Sequence, residues 1–260
     1  MAVGLTERIR IQTDPITQAA LALSDQLLDG DGSELLYHRD EIGVQLGNYY
    51  GGLSFAQKEL TNLSESGPGG VSPYQSFAWF YSVNTGQISV RHKLKGPSGT
   101  IATEACSGID ALGLANYEIL SGTDFMITGA IDGTRSPFGI ASMYSSKSIL
   151  GPAATAGDYA PYNAESIGYV PGAGGALLML QSERVTSPVQ RDVELIGSAR
   201  GFQSGQSRNV LSDIVVRMLA ESGVKPSDIG VVYSDAVGVP AADARERETL
   251  LQIFGDKQPP

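Results

Sequence analysis

Apolar residues recur along this chain with two different spacings, and each spacing predicts one kind of element. Apolar positions three and four residues apart predict amphipathic helices at 14–30, 53–63, 107–121, 136–144 and 209–222. Short apolar runs between these helices predict strands at 42–49, 100–105, 125–131, 177–180, 193–199 and 231–233. This alternation favours an α/β fold with a mainly parallel sheet and helices on both faces.

Composition narrows the classes of function that fit these elements. The 260 residues carry a formal net charge of −10, and no stretch concentrates Lys or Arg, which argues against nucleic acid or an anionic membrane as the partner. A single cysteine excludes a disulfide framework, and no apolar run is long enough to span a bilayer. With no signal-like segment at its start, the chain is expected in the cytoplasm.

The stretch from Gly96 to Gly133 carries the strongest chemical signal. A short β-run breaks at Ala105-Cys106-Ser107-Gly108 into a helix, which leads to the apolar run at 125–131. Strand, tight turn and helix N-terminus in that order form a nucleophile elbow, which holds one side chain beside backbone N–H groups. Such an elbow suits a thiolate or an oxyanion.

This elbow resembles that of the β-ketoacyl synthases, especially the paired subunits of type II polyketide synthases. In the catalytic subunit of that family the reactive Cys lies five residues before the Asp of a Gly-Leu-Asp-like triplet. In the partner subunit, the chain-length factor, the same place holds Gln in Glu-Gln-Ala-Gly-Gly-Leu-Asp. Here the triplet is Gly108-Ile109-Asp110, so the resemblance puts Ala105 in the reactive place and matches Glu104 with the partner's Glu.

Cys106 lies one residue beyond the reactive place. One residue rotates a helical side chain by about 100°, enough to turn it away from a pocket. We therefore expect Cys106 to be a small buried residue. The alternative is a nucleophile in a locally shifted turn.

A second resemblance covers the aromatic stretch 74–90, YQSFAWFYSVNTGQISV. Five aromatic residues within eight positions also fit an ordinary core. Chain-length factors carry nearly the same string, followed as here by Arg-His and Gly-Pro-Ser. The resemblance implies that residues 74–90 form a helix, which in the family lines the polyketide tunnel together with the helix before it. The resemblance implies tunnel-shaping residues at Leu53, Ala56, Leu60 and Phe77, with bulkier groups at the first three in several family members and so some extra room here.

The segment Ser234 to Pro240 bears on catalysis. Active ketosynthases have His-Gly-Thr-Gly-Thr-Pro here, and alignment on Gly238-Val239-Pro240 places Asp235 where the first catalytic His belongs. Decarboxylative condensation needs a thiolate and neutral imidazoles, and an anionic carboxylate would repel the enolate. The only histidines, His38 and His92, precede the elbow and are expected in structural or surface roles.

The resemblance implies a thiolase-like layered αβαβα fold, incomplete at both ends, in a single domain 1–260 with first-half elements at 1–165 and second-half elements at 166–260. Three explanations fit the length: a genuinely short subunit, a subunit shortened by processing, or a sequence from which segments are missing. The resemblance also implies a non-catalytic chain-length-determining subunit that pairs, as heterodimer or heterotetramer, with a catalytic ketosynthase. The expected interface residues are Ala105, Cys106, Ile109 and Leu112.

No catalytic residue, metal or cofactor is expected in this chain. The resemblance implies that the partner ketosynthase uses malonyl units on the phosphopantetheine arm of an acyl carrier protein. A starter-forming decarboxylase role is not carried over, because Ala105 lacks a hydrogen-bonding side chain. Two alternatives stay open: a self-sufficient condensing or acyl-transfer enzyme that uses Cys106, and a structural subunit that stabilises a ketosynthase without a tunnel of its own.

Overall fold

The computed structural model describes residues 4–133, 135–146, 148–151, 153–185, 193–204 and 209–260. The chain forms two compact units: the first comprises residues 1–141 and 172–193, and the second comprises residues 142–171 and 194–260. The sheet belongs to the first unit. The regular elements described in the second unit are helices and one isolated bridge between Ile149 and Tyr169.

The sheet has four strands in the order β2-β1-β3-β4. They are β1 (Ile42–Gly47), β2 (Ser98–Ile101), β3 (Phe125–Asp132) and β4 (Gly174–Gln181). β1 runs parallel to both β2 and β3, whereas β4 is antiparallel to β3. The prediction of a mainly parallel sheet is thus confirmed, with one antiparallel edge strand.

Helices cover both faces of this sheet, as predicted. One face packs its strand side chains against α2 (Pro15–Leu27) and α4 (Val83–His92). This side forms the core, which includes Leu21, Leu28, Ile42, Val44, Leu46, Ile88, Phe125, Ile127 and Ile131. The other face meets α5 (Ser107–Ser121), whose buried Ala111 and Ala115 allow the helix to lie close to the strands.

The buried Asp14 carboxylate joins the starts of two helices. As the N-cap of α2 it accepts a hydrogen bond from the backbone N–H of Ile16 at 2.9 Å. Its other oxygen accepts the N–H of Phe55 at 2.8 Å, in the first turn of α3 (Leu53–Ser66). Burial raises the pKa of Asp14, although its backbone hydrogen bonds act to lower it. Asp14 is preceded by the short helix α1 (Glu7–Gln12), which the sequence did not indicate.

The predicted helices at 136–144 and 209–222 are confirmed, whereas the helix at 240–254 was not predicted and the strands predicted in the second unit are not formed. α6 (Pro137–Ser145) begins in the first unit and ends in the second, which also holds α7 (Val210–Glu221) and α8 (Pro240–Phe254). Residues 193–199 and 231–233 are not in strands. A strand needs a neighbouring strand for its ladder, and the N–H of Val232 instead bonds the Pro260 carbonyl at 3.1 Å.

Both histidines have structural or surface positions, as predicted. His38 is exposed and lies 3.1 Å from Glu41. His92 is largely buried at the end of α4, with Nε2 3.0 Å from the Ser24 hydroxyl and 3.5 Å from Asp25, which also pairs with Arg91 at 2.6 Å. These contacts tie α4 to α2.

His92 should make stability depend on pH. Burial lowers its pKa below the ordinary 6.5, against the attraction of Asp25. The unfolded chain therefore takes up the proton first, and the free energy of unfolding falls as pH drops from about 7 to 5, by about 1.4 kcal/mol per unit of pKa difference. In urea unfolding measured at several pH values, the free energy of unfolding of His92→Asn should change less with pH than that of the unchanged chain. His38→Asn is the matched control, and equal slopes for both variants would contradict the prediction.

Candidate functional site

The carboxyl ends of the parallel strands meet at one edge of the sheet, the edge where sites form in open α/β sheets. Three loops begin there: the loop after β1, the elbow after β2 and the loop after β3. The Asp132 carboxylate joins two of them by accepting the N–H groups of Tyr49 at 2.7 Å, Tyr50 at 3.1 Å and Gly133 at 2.8 Å. β1 accordingly ends at Gly47, two residues before the predicted limit.

The elbow has the predicted strand, turn and helix order. β2 ends at Ile101, and residues Glu104–Cys106 form one 3-10 turn before α5. Glu104 has a φ of +53°, the left-handed conformation that a non-glycine residue adopts only in a constrained turn. The Ser107 hydroxyl fixes this turn, accepting from Thr103 N at 2.9 Å and donating to the Glu104 carbonyl at 2.7 Å.

Ala105 and Cys106 are both exposed on this turn. A methyl group therefore occupies the place that sequence register assigns to the nucleophile. The expectation that Cys106 is buried is wrong. The buried row of α5 is Ser107, Ala111 and Ala115, at successive steps of four residues, and Cys106 lies outside that row.

The predicted interface residues lie mostly on the exposed side of α5. Ile109 is 69% exposed, Ala105 and Cys106 are exposed, and Leu112 is partly buried. This apolar side continues to Leu120. The helix thus presents a surface that fits an interface, and the interface role of these residues stays a prediction.

The tunnel-shaping residues predicted on α3 share its exposed side. Phe55 and Glu59 face inward and are buried, whereas Leu60 is 53% exposed and Leu53 and Ala56 are partly exposed. Glu59 accepts a hydrogen bond from the N–H of Ser72 at 2.6 Å, which fastens the following loop to α3. The tunnel-shaping role of these residues stays a prediction.

The aromatic stretch is not one helix, contrary to the prediction from 74–90. A 3-10 turn covers Pro73–Ser76, residues 77–82 form turns, and only Val83–His92 are α-helical. The Trp79 carbonyl accepts the N–H of Gly52 at 2.9 Å, so it is engaged with the start of α3. Phe77 lies in this loop and is 37% exposed, with its ring edge to face against that of Tyr74.

The loop around Asp235 belongs to the second unit and is organised by carboxylates. Glu246 on α8 accepts the N–H groups of Asp235 at 2.7 Å and Ala236 at 3.0 Å, and Asp243 accepts that of Gly238 at 3.2 Å. Asp235 itself is exposed at its side chain. Partial desolvation, then the charges of Glu246 and Asp243, raises its pKa.

Two tyrosines in the segment before β4 form hydrogen bonds that hold the loop around Asp235 in place. Tyr162 donates its hydroxyl to Glu246 at 2.7 Å and its N–H to Asp243 at 2.8 Å, and Tyr159 donates to the Ala236 carbonyl at 2.6 Å. These partners were not predicted from the sequence. The spacing of Asp243 and Glu246 on one helical face just after Pro240 is the signal that could have found them. An acidic site of this kind cannot supply the neutral imidazole donors that condensation requires.

Within the described part of the chain, no group of three His, Cys, Asp or Glu side chains is placed to hold a metal ion. Nor is any described helix long and apolar enough to cross a membrane.

Comparison with known proteins gives matches along nearly the whole chain. Residues 2–185 match the family model "Beta-ketoacyl synthase, N-terminal domain", and residues 197–260 match "Beta-ketoacyl synthase, C-terminal domain". The chain is 38% identical to the actinorhodin polyketide putative beta-ketoacyl synthase 2 of Streptomyces coelicolor, over 95% of this chain and 63% of that protein. It is 40% identical to the tetracenomycin polyketide synthase ketoacyl synthase beta subunit of Streptomyces glaucescens, over 98% of this chain and 64% of that protein.

Solved structures with the same arrangement are more distant in sequence. The complex of the ketosynthase ApeO with its chain length factor ApeC from Xenorhabdus doucetiae contains a chain with a TM-score of 0.80 at 20% identity, covering 99% of this chain and 64% of that one. The ishigamide ketosynthase/chain length factor gives a TM-score of 0.77 at 18% identity, covering 95% and 62%. The chain spans less than two thirds of the length of each of these relatives.

Proposed function

Because this chain belongs to the β-ketoacyl synthase family, we propose that it is a non-catalytic, chain-length-determining subunit of a type II polyketide synthase. Its mixed α/β sheet with helices on both faces is the thiolase-like fold of that family, as the sequence predicted. The single domain expected from the sequence stays a prediction. The names of its polyketide synthase relatives support the more specific assignment.

The observation that carries this proposal is the methyl group of Ala105 on the elbow. Carbon–carbon bond formation in this family needs a sulfur nucleophile to hold the growing acyl chain, and alanine cannot be acylated. The loop of Asp235 adds carboxylates, whose negative charge would oppose the enolate formed when malonyl loses CO₂. A partner ketosynthase would therefore supply the cysteine and the imidazoles.

This chain would contribute the wall of the tunnel in which the poly-β-ketone grows. The exposed apolar side of α3 and the exposed Phe77 form that wall. The partner would bind the exposed side of α5 and receive malonyl units from the phosphopantetheine arm of an acyl carrier protein, while this chain needs no cofactor. We further propose that this complex assembles in the cytoplasm.

Larger side chains on α3 should shorten the product. Ala56→Phe and Leu60→Phe each fill space on the exposed side of α3, so the chain should terminate at least one two-carbon unit earlier in a complex with a ketosynthase. Mass spectrometry of the products measures this. Lys58→Phe, an exposed position about 140° around the same helix from Leu53, is the control and should leave product length unchanged. An unchanged product spectrum for the first two variants would remove the tunnel role.

Two further measurements separate the alternatives. Acylation and chain extension by the isolated chain, abolished by Cys106→Ala, would establish an autonomous enzyme and refute the proposal. The exposure of Cys106 keeps this test meaningful. Unchanged products in all α3 variants, together with a lower complex yield for Ile109→Asp, would instead favour a purely structural subunit.

A further inference from the structure

The joint between α1 and α2, residues 12–14, binds two segments that lie far along the chain. Asp14 accepts the N–H of Phe55 at 2.8 Å and so fixes the start of α3. Two residues earlier, the Gln12 side chain donates from Nε2 to the Tyr74 hydroxyl at 2.6 Å, across 62 positions of the chain. One short segment therefore contacts both α3 and the aromatic loop that begins at Pro73.

Tyr74 is also the residue around which the aromatic loop folds. Its N–H donates to the Ser72 hydroxyl at 3.2 Å, and its carbonyl accepts the N–H groups of Phe77 at 3.1 Å and Ala78 at 2.9 Å. Ala78 is fully buried, so this turn is anchored at its end as well. The backbone of Phe77 thus takes its position from Tyr74.

The side chain of Phe77 depends on Tyr74 too. The two rings meet edge to face, with centroids 6.0 Å apart and planes at 77°, a geometry that aromatic pairs prefer. Phe77 is 37% exposed, so solvent leaves one side of its ring without protein contacts. The bond from Gln12 holds the far end of the Tyr74 ring, and the surface that Phe77 packs on is therefore fixed from α1.

We propose that Gln12 and Tyr74 are positioning residues for product length, because their hydrogen bond fixes the Tyr74 ring against which Phe77 packs. This proposal rests on the proposed function, in which Phe77 and the exposed side of α3 meet the growing poly-β-ketone. Gln12 and Tyr74 act through Phe77 and need not contact that chain themselves. Since Asp14 fixes α3 from the same joint, the joint sets the position of Phe77 relative to α3.

Removal of this hydrogen bond should make product length less uniform. Tyr74→Phe keeps the ring and removes only the hydroxyl, and Gln12→Met removes the donor at nearly the same side-chain length. One such bond shifts an equilibrium by about two- to tenfold, so each variant should lower the ratio of main product to longer products by about that factor. The complex with a ketosynthase should form in unchanged yield, and mass spectrometry measures the ratio. The double variant should change it no further, since both substitutions remove the same bond.

Two controls separate the bond from the mere presence of the residues. Gln12→Glu keeps an acceptor to which the Tyr74 hydroxyl can donate, so it should preserve the product ratio. Tyr233→Phe removes the same hydroxyl from a ring that is 94% exposed, and it should have no effect.

The outcomes distinguish this proposal from the proposed function. If Tyr74→Phe and Gln12→Met leave the product ratio unchanged while Leu60→Phe shortens the product, the positioning role is refuted and the proposed function survives. A loss of uniformity in Gln12→Glu as large as in Gln12→Met would also refute the positioning role, because the bond would then not be its cause. If Ala56→Phe and Leu60→Phe leave the products unchanged as well, the proposed function fails with it.

Discussion

An Asp14→Ala variant is expected to lose about 2–4 kcal/mol of unfolding free energy, more than removal of an ordinary helix cap. Loss of the α2 cap costs about 1 kcal/mol. The second loss is the acceptor for the Phe55 N–H, a buried donor left unsatisfied at a cost of about 1–3 kcal/mol. Urea unfolding monitored by circular dichroism measures the sum.

Two variants make this test specific. Thr6→Ala removes the cap of α1, an exposed single contact to Ile9, and should cost no more than about 1 kcal/mol. Asp14→Asn keeps one acceptor and removes a buried charge, so its stability should lie between those of the unchanged chain and Asp14→Ala. A loss in Asp14→Ala no larger than in Thr6→Ala would show that the contact to α3 contributes nothing.

Asp14 also shows which contacts can be predicted from the sequence and which cannot. The Asp-Pro pair predicts the start of α2 because cap preference and the fixed φ of proline are local properties. The second bond, to Phe55, spans 41 positions and depends on tertiary packing, which no local pattern encodes. The same limit applies to the hydrogen bonds that the Asp132 carboxylate accepts from Tyr49 and Tyr50, which organise the candidate site.

The secondary-structure predictions that were wrong also have specific causes. The family resemblance implied a helix across the aromatic residues between 74 and 81, but these residues form a loop that packs on Gly52, where a Cβ atom would collide with the Ala78 carbonyl. The apolar runs at 193–199 and 231–233 have the composition of strands, but neither lies beside another strand with which it could form backbone hydrogen bonds. Ala105 is assigned to the reactive place by counting five residues back from Asp110. The order of strand, turn and helix on which this assignment depends is confirmed.

Replacing Gly47 with alanine should displace the elbow and destabilise the first unit by about 1–3 kcal/mol. Gly47 ends β1 directly beneath the start of α5, and an added Cβ atom would overlap the Ser107 carbonyl group and approach Gly108 N to 2.8 Å. Both neighbours are backbone atoms, so the clash cannot be relieved by a rotamer change, and overpacking of this kind costs about 1–3 kcal/mol or more. The Ser107 hydroxyl that fixes the turn would move with them.

Gly86→Ala makes the same chemical change in α4, where nothing lies within 4 Å of the added atom. It should raise the free energy of unfolding by about 0.5–1 kcal/mol, because alanine loses less backbone entropy than glycine on forming a helix. The two substitutions therefore differ in sign. In the proposed complex with a ketosynthase, Gly47→Ala should also weaken pairing, since the elbow and the exposed side of α5 move together, whereas Gly86→Ala should leave pairing intact. Equal stabilities for the two variants would mean that β1 and the elbow are not in the close contact on which the placement of Ala105 depends.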